Sequence, residues 1–131
     1  MSKPVLRVKI TLVDGRSVTL PALFDTGSFY TLLRQDRLPA GAAVLNYRKA
    51  EFFRGAGRGN RLRVVGSTEV IVTIGKRKIR DTALVSPDLT REMIVGAGAM
   101  QKWDITVRNR NGSTRVLVGH DMRDPDITEV D

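Results

Sequence analysis

The sequence predicts an all-β domain, with a closed or nearly closed β-barrel-like sheet and one short helix near its C-terminal end. Three observations carry this expectation. Apolar and polar residues alternate with a period of two through most of the chain. Hairpin turn signals recur at Asp14-Gly15, Gly75-Lys76 and Asn111-Gly112. No linker or low-complexity segment divides the 131 residues, a length that can bury one core without covalent staples.

The elements follow in order. Leu6, Val8, Ile10 and Leu12 alternate with Arg7, Lys9 and Thr11, as in a half-buried strand. Asp14-Gly15 turns the chain, because both residue types tolerate positive φ. Val18 and Leu20 resume the alternation and lead into "ALFDTGS", so the second arm delivers Asp25 at or just after its end. "YTLLRQDRL" predicts another extended segment, ended by Pro39 and Gly41. "AGAAVLNY" has no clear period and is predicted as loop. "AEFFRGAGRGNRLRVV" sets Gly55, Gly57 and Gly59 between β-prone flanks, which predicts a hairpin with a glycine-rich tip. "STEVIVTIGKRKIRDTALVSP" predicts a further hairpin about Gly75 and Lys76. Ile94-Val95 predicts a strand, Gly96 a break, and Ala97 to Trp103 a short helix whose Trp103 serves the core or an interface. "DITVRNRNGSTRVLVG" predicts a last hairpin turned at Asn111-Gly112. The total is about seven to nine short strands.

Composition removes several chemistries. The absence of Cys excludes disulfides, thiolate metal sites and a cysteine nucleophile, and it suits a reducing compartment. His120 is the only histidine, so no multi-histidine metal site exists within one chain, and none of these patterns calls for a metal or a cofactor. His120 itself is expected to be exposed and inert. Arg7 and Lys9 interrupt the N-terminal apolar stretch, and no run approaches the ~18 apolar residues of a membrane span. The expectation is a soluble, cytoplasmic protein without a membrane contact.

Charge is uneven. Residues 1–120 carry 21 Lys and Arg against 9 Asp and Glu, a net of +12, whereas residues 121–131 carry five acids and one Arg, a net of −4. The expected organisation is therefore one domain over 1–120 and an acidic tail over 121–131, which either folds back on the basic body or stays disordered. A basic body invites a nucleic-acid reading. However, the cations are spread over most segments and only seven Phe, Tyr and Trp residues occur, which favours a solvated basic surface and speaks against nucleic acid.

"ALFDTGSFYTLL", from Ala22 to Leu33, carries the chemistry. Asp25 presents a carboxylate at the end of an apolar run. Thr26 supplies a hydroxyl able to bond across to a neighbouring loop. Gly27 lets the backbone turn sharply and bring its N–H close to the carboxylate. Leu23 and Phe24 fix the loop on a buried strand, which gives a carboxylate the rigidity that catalysis needs. Ser28 has no base placed for it and is expected to support the loop by hydrogen bonding. A second Asp-Thr, at Asp81, is followed by Ala83 where the turn needs Gly and lies within a predicted strand. "GAGRG" lacks the Gly-Lys-Ser/Thr of a phosphate loop, and "GAGAMQ" lacks the third Gly of a dinucleotide fingerprint.

The order of these parts, an alternating strand into "FDTGS", a glycine-rich hairpin, then "MIVG" before a short helix, resembles the retropepsin-like aspartic peptidases. The resemblance covers roughly residues 5 to 118. It implies the closed retropepsin fold, with Asp25 catalytic and with Thr26, Gly27 and Ser28 supporting its loop. It further implies a substrate-binding flap at Gly55, Ala56, Gly57, Arg58 and Gly59, and an active-site floor at Ile94, Val95 and Gly96. Two departures stand out. The segment after Gly96 has Gly98 where much of the family places an acid or Asn, and Arg54, Arg58, Arg61 and Arg63 make the flap region basic.

Aspartic peptidase chemistry uses two carboxylates and one water. This chain carries one Asp-Thr-Gly, so the resemblance implies a homodimer with Asp25 from each copy at the two-fold axis, acting on an extended peptide or protein. Two other readings stay open. One is a non-catalytic peptide-binding or dimerisation module with the same fold, which the missing acid at Gly98 supports. The other is a basic nucleic-acid-binding β domain.

Overall fold

The computed structural model, which describes residues 4–54 and 61–124, is built almost entirely from strands. They are β1 (Val5–Leu12), β2 (Ser17–Asp25), β3 (Thr31–Arg34), β4 (Leu45–Arg54), β5 (Arg61–Ile74), β6 (Arg77–Ser86), β7 (Met93–Gly96), β8 (Ile105–Arg110) and β9 (Ser113–Val118). One α-helix, α1, spans Ala97–Lys102. Seven strands form a sheet in the order β1-β2-β7-β3-β6-β5-β4, and an additional β1–β5 pairing closes six of them into a barrel. Strand β4 stays outside the closure, paired only to β5. The β8–β9 hairpin forms a separate two-stranded ribbon. This is the all-β, closed architecture with one short helix that the sequence predicts.

The parity of each strand sorts its side chains between two apolar layers, because successive residues point to opposite faces. Along β2, Leu20, Ala22 and Phe24 enter the main core, whereas Leu23 joins a smaller cluster on the other side. Along β7, Met93 and Val95 face the main core and Ile94 the smaller cluster. In β3, Leu33 and Leu32 divide in the same way. These short central strands are buried on both faces and therefore read as continuous apolar runs instead of alternating ones.

Two local expectations change. Gln35–Arg37 is a 3-10 turn, where the sequence predicts extended chain. Residues 45–47 belong to β4, where the sequence predicts loop. β5 runs for 14 residues through Gly66. A Cβ on Gly66 would stand 2.6 Å from the Leu45 carbonyl oxygen, so the missing side chain lets β4 approach and pair. At Asn111-Gly112 both φ angles are positive, at 51° and 77°, as a tight hairpin turn requires.

Trp103 follows α1 and is buried in the main core, with its indole N–H donating to the Arg80 carbonyl at 3.0 Å. Past β9 the chain returns to the body. The Met122 N–H donates to the Lys78 carbonyl at 2.8 Å, and Asp121 is buried between Arg77 and Arg123. Burial pushes the Asp121 carboxyl up, but the Arg123 N–H and guanidinium and the Arg77 charge outweigh it and hold the group below the usual carboxylate range. The first residues of the acidic tail are thus docked by charge. His120 is largely exposed, with Nδ1 3.7 Å from an Asp124 oxygen. Among the described residues no helix is long and apolar enough to cross a membrane.

Candidate active site

Asp25 is the last residue of β2 and lies in parallel register with Gly96, the last residue of β7. Its carboxylate is half-buried. The Gly27 N–H donates to Asp25 Oδ1 at 2.8 Å, and the Ser28 N–H donates to the Asp25 carbonyl at 3.2 Å. A Cβ on Gly27 would lie 3.0 Å from Oδ1. The carboxylate oxygen would have to give by a few tenths of an ångström to admit a side chain here, and the Gly27 φ is not in the left-handed region. Thr26 stands exposed beside the pair. The Ser28 hydroxyl donates to the Tyr30 carbonyl at 2.8 Å and so braces the loop without reaching the carboxylate.

The loop is sewn to the end of β7 and the start of α1. The Ala97 N–H donates to the Ser28 carbonyl at 2.6 Å and the Gly98 N–H to the Phe29 carbonyl at 2.9 Å. The Phe29 ring covers Gly98, 3.2 Å from where a Cβ would sit, so it fills the space in which an acid was expected. Backbone bonds and an aromatic ring here stand where the resemblance would put an ionic support.

Thr31 adds a second brace. It is buried, and its hydroxyl oxygen accepts the Gly96 N–H at 3.2 Å. The same hydroxyl bonds the Asp81 carboxylate, which also accepts the Thr82 N–H at 2.9 Å. Asp81 sits mid-strand in β6, opposite Val70 of β5. Burial pushes its carboxyl above the usual carboxylate range, while the Thr31 and Thr82 bonds and the Lys102 charge offset part of the shift. A raised folded-state value means that this group favours the fold most when protonated. Its contribution is complete below the unfolded value and is lost as pH rises through the folded one. Asp81→Asn is expected to keep the Thr31 bond and to flatten the fall of Tm as pH rises from the ordinary carboxylate range through the raised one. An unchanged slope in thermal melts of the variant would remove Asp81 from this account.

Asp25 opens onto a groove of about 550 Å³. Leu23, Leu32, Leu62 and Ile94, all buried, form its base. Tyr30 and Phe53 stack with ring centroids 5.6 Å apart at its side. Arg54, Thr90 and Arg91 complete the lining. Of the expected floor, Ile94 lines the groove and Gly96 lies beside Asp25, but Val95 points the other way, into the main core. Adjacent strand residues cannot share a face, which is why the expectation fails for one of the pair. Gly55, Ala56, Gly57, Arg58 and Gly59 lie outside the described residues. The sequence singled out neither Phe29, Tyr30 and Phe53 nor Thr90 and Arg91 for this groove, and no local pattern marks them.

The family model for retroviral aspartyl protease matches residues 1–108, which takes in the Asp25 loop and the strand pairing just described. The chain belongs to the retroviral aspartyl protease family. Its fold is also that of a solved family structure, the EIAV protease in complex with the inhibitor HBY-793. The two share 21% identity at a TM-score of 0.52, over 77% of this chain and 88% of that one. No curated protein matches the chain by sequence search alone. Membership of the retroviral aspartyl protease family accounts for the closed sheet and for the Asp-Thr-Gly loop between β2 and β3.

Proposed function

We propose that this chain is an aspartic endopeptidase active as a homodimer, in which a water is activated by two Asp25 carboxylates, one from each copy. The observation that carries this is Asp25 itself: a half-buried carboxylate, held by the Gly27 N–H, at the mouth of a groove whose described lining holds no second acid. The reaction needs two carboxyls, one ionised to take a proton from water and one protonated to hydrogen-bond the scissile carbonyl. Two carboxyls about 3 Å apart share one proton, because both cannot ionise cheaply. Activity is then expected between the two titrations of the pair.

A second copy is the simplest source of the missing acid, since an isologous interface brings the same residue to the axis from both sides. Phe29 and Tyr30 support self-association. They are 62% and 50% exposed beside Asp25, a costly arrangement for two large aromatics unless a partner covers them. The peptide would lie extended along the groove, with main-chain bonds to its rims and side chains in its apolar base.

Subunit mixing tests the shared site. Wild-type chain combined with an equal amount of Asp25→Asn, at constant total concentration, is expected to keep about one quarter of the wild-type cleavage rate, because only that fraction of dimers pairs two intact copies. Retention of about one half, the value for independent monomers, would sink the homodimeric site.

A further inference from the structure

We infer that the groove selects peptides carrying an acidic side chain within a few residues of an apolar residue at the cleaved bond, with Arg91 and Arg54 as the residues that read the acid. This rests on the proteolytic reading above and names its substrate class. Arg91, in the segment between β6 and β7, and Arg54, at the end of β4, both line the groove. Neither makes an ion pair among the described residues.

The neighbouring acids are already committed elsewhere. Glu92 pairs with Arg37 at 2.7 Å, and Asp88 pairs with Arg63 at 3.5 Å. Asp25 is the only acid in the described lining, so the two guanidinium groups leave the groove with a positive margin. The base of the groove is apolar, formed by Leu23, Leu32, Leu62 and Ile94. The two features together describe one ligand: an apolar side chain in the base and a carboxylate at the rim. In an extended peptide, residues two apart share a face and are separated by about 7 Å, which suits this spacing.

Guanidinium forks match carboxylates geometrically as well as electrostatically. The net of +12 over residues 1–120 adds long-range attraction for an acidic chain. A nucleic acid fits less well, because its phosphates would meet the Asp25 carboxylate in the groove.

The test uses a set of fluorogenic decapeptides with one apolar pair at the centre and Glu, Gln or Lys at each flanking position in turn. At a pH between about 5 and 6 the peptide Glu is ionised. Wild-type kcat/KM is expected to favour Glu over Gln by about fivefold at each position read by one arginine, and to place Lys last. The Glu-to-Gln ratio is expected to fall toward one in Arg91→Gln and Arg54→Gln, at different positions for the two variants. It should also fall at high salt, and at about pH 3.5, where Glu is neutral. A wild-type ratio of one or less, or a ratio unchanged in the double variant, overturns the inference. Should no peptide be cleaved, the proteolytic reading fails separately. Fluorescence anisotropy with labelled Glu and Gln peptides then decides: tighter Glu binding that Arg91→Gln abolishes sustains the acid-reading groove, and equal binding overturns it. Displacement of the labelled Glu peptide by a single-stranded oligonucleotide at lower concentration than by unlabelled Glu peptide overturns it too.

Discussion

Replacing Asp25 with Asn is expected to lower kcat/KM for peptide cleavage by about 10³-fold or more while leaving the chain folded and self-associated. Asn has no basicity with which to take a proton from water, so the proposed Asp25 pair would lose the group that activates the nucleophile. A loss of that size corresponds to about 4 kcal/mol of transition-state stabilisation. The fold has little reason to respond. Asp25 is half-buried at a strand end, and an Asn oxygen can still accept the Gly27 N–H that Asp25 Oδ1 accepts at 2.8 Å. Sedimentation and thermal melting would report the intact assembly, and single-turnover cleavage the lost chemistry. Full proteolysis by the variant would rule out the two-carboxylate mechanism.

Gly96→Ala is expected to be the most damaging Gly→Ala change among the described glycines, costing about 3 kcal/mol or more. A methyl group there would stand 2.6 Å from the Phe29 carbonyl oxygen and 2.5 Å from the Tyr30 carbonyl carbon. Both are backbone atoms, and neither can swing aside as a side-chain tip could. The neighbouring bonds, Ala97 N–H to the Ser28 carbonyl and Gly98 N–H to the Phe29 carbonyl, hold the two segments together. Relief therefore requires the loop that carries Asp25 to move, so activity should fall along with stability. Gly98→Ala is a graded comparison: its Cβ would meet the Phe29 carbonyl oxygen at 3.1 Å and the Phe29 ring at 3.2 Å, and the ring can shift. Urea denaturation should rank Gly96→Ala well below Gly98→Ala, and equal stability for Gly96→Ala and wild type would discard the close-approach account.

The amino-acid pattern alone was enough for most of the strands and for the Asp25 loop, but not for the turn at Gln35–Arg37 or the start of β4 at Leu45. Alternation from Leu6 to Leu12 and the turn at Asp14-Gly15 encode the first hairpin locally, because side-chain parity and turn chemistry act over a few residues. Asp25, Gly27 and the "MIVG" segment were recognisable for the same reason. Each is a short motif whose backbone demands are written in its own residue types.

Other features depend on which strands become neighbours. The role of Gly66 becomes visible only once β4 is seen to pack against it. Val95 looks like its neighbour Ile94 until the two faces of β7 acquire different partners. Arg54 and Arg91 lie far apart in the chain, and both line the groove only because the sheet closes. Thr31 joins Gly96 to Asp81 across three strands. Local periodicity tells a residue that it has a face, but the identity of that face is set by non-local strand pairing. The sequence by itself therefore determined the strands and the catalytic-type loop, and the closure of the sheet decided what surrounds it.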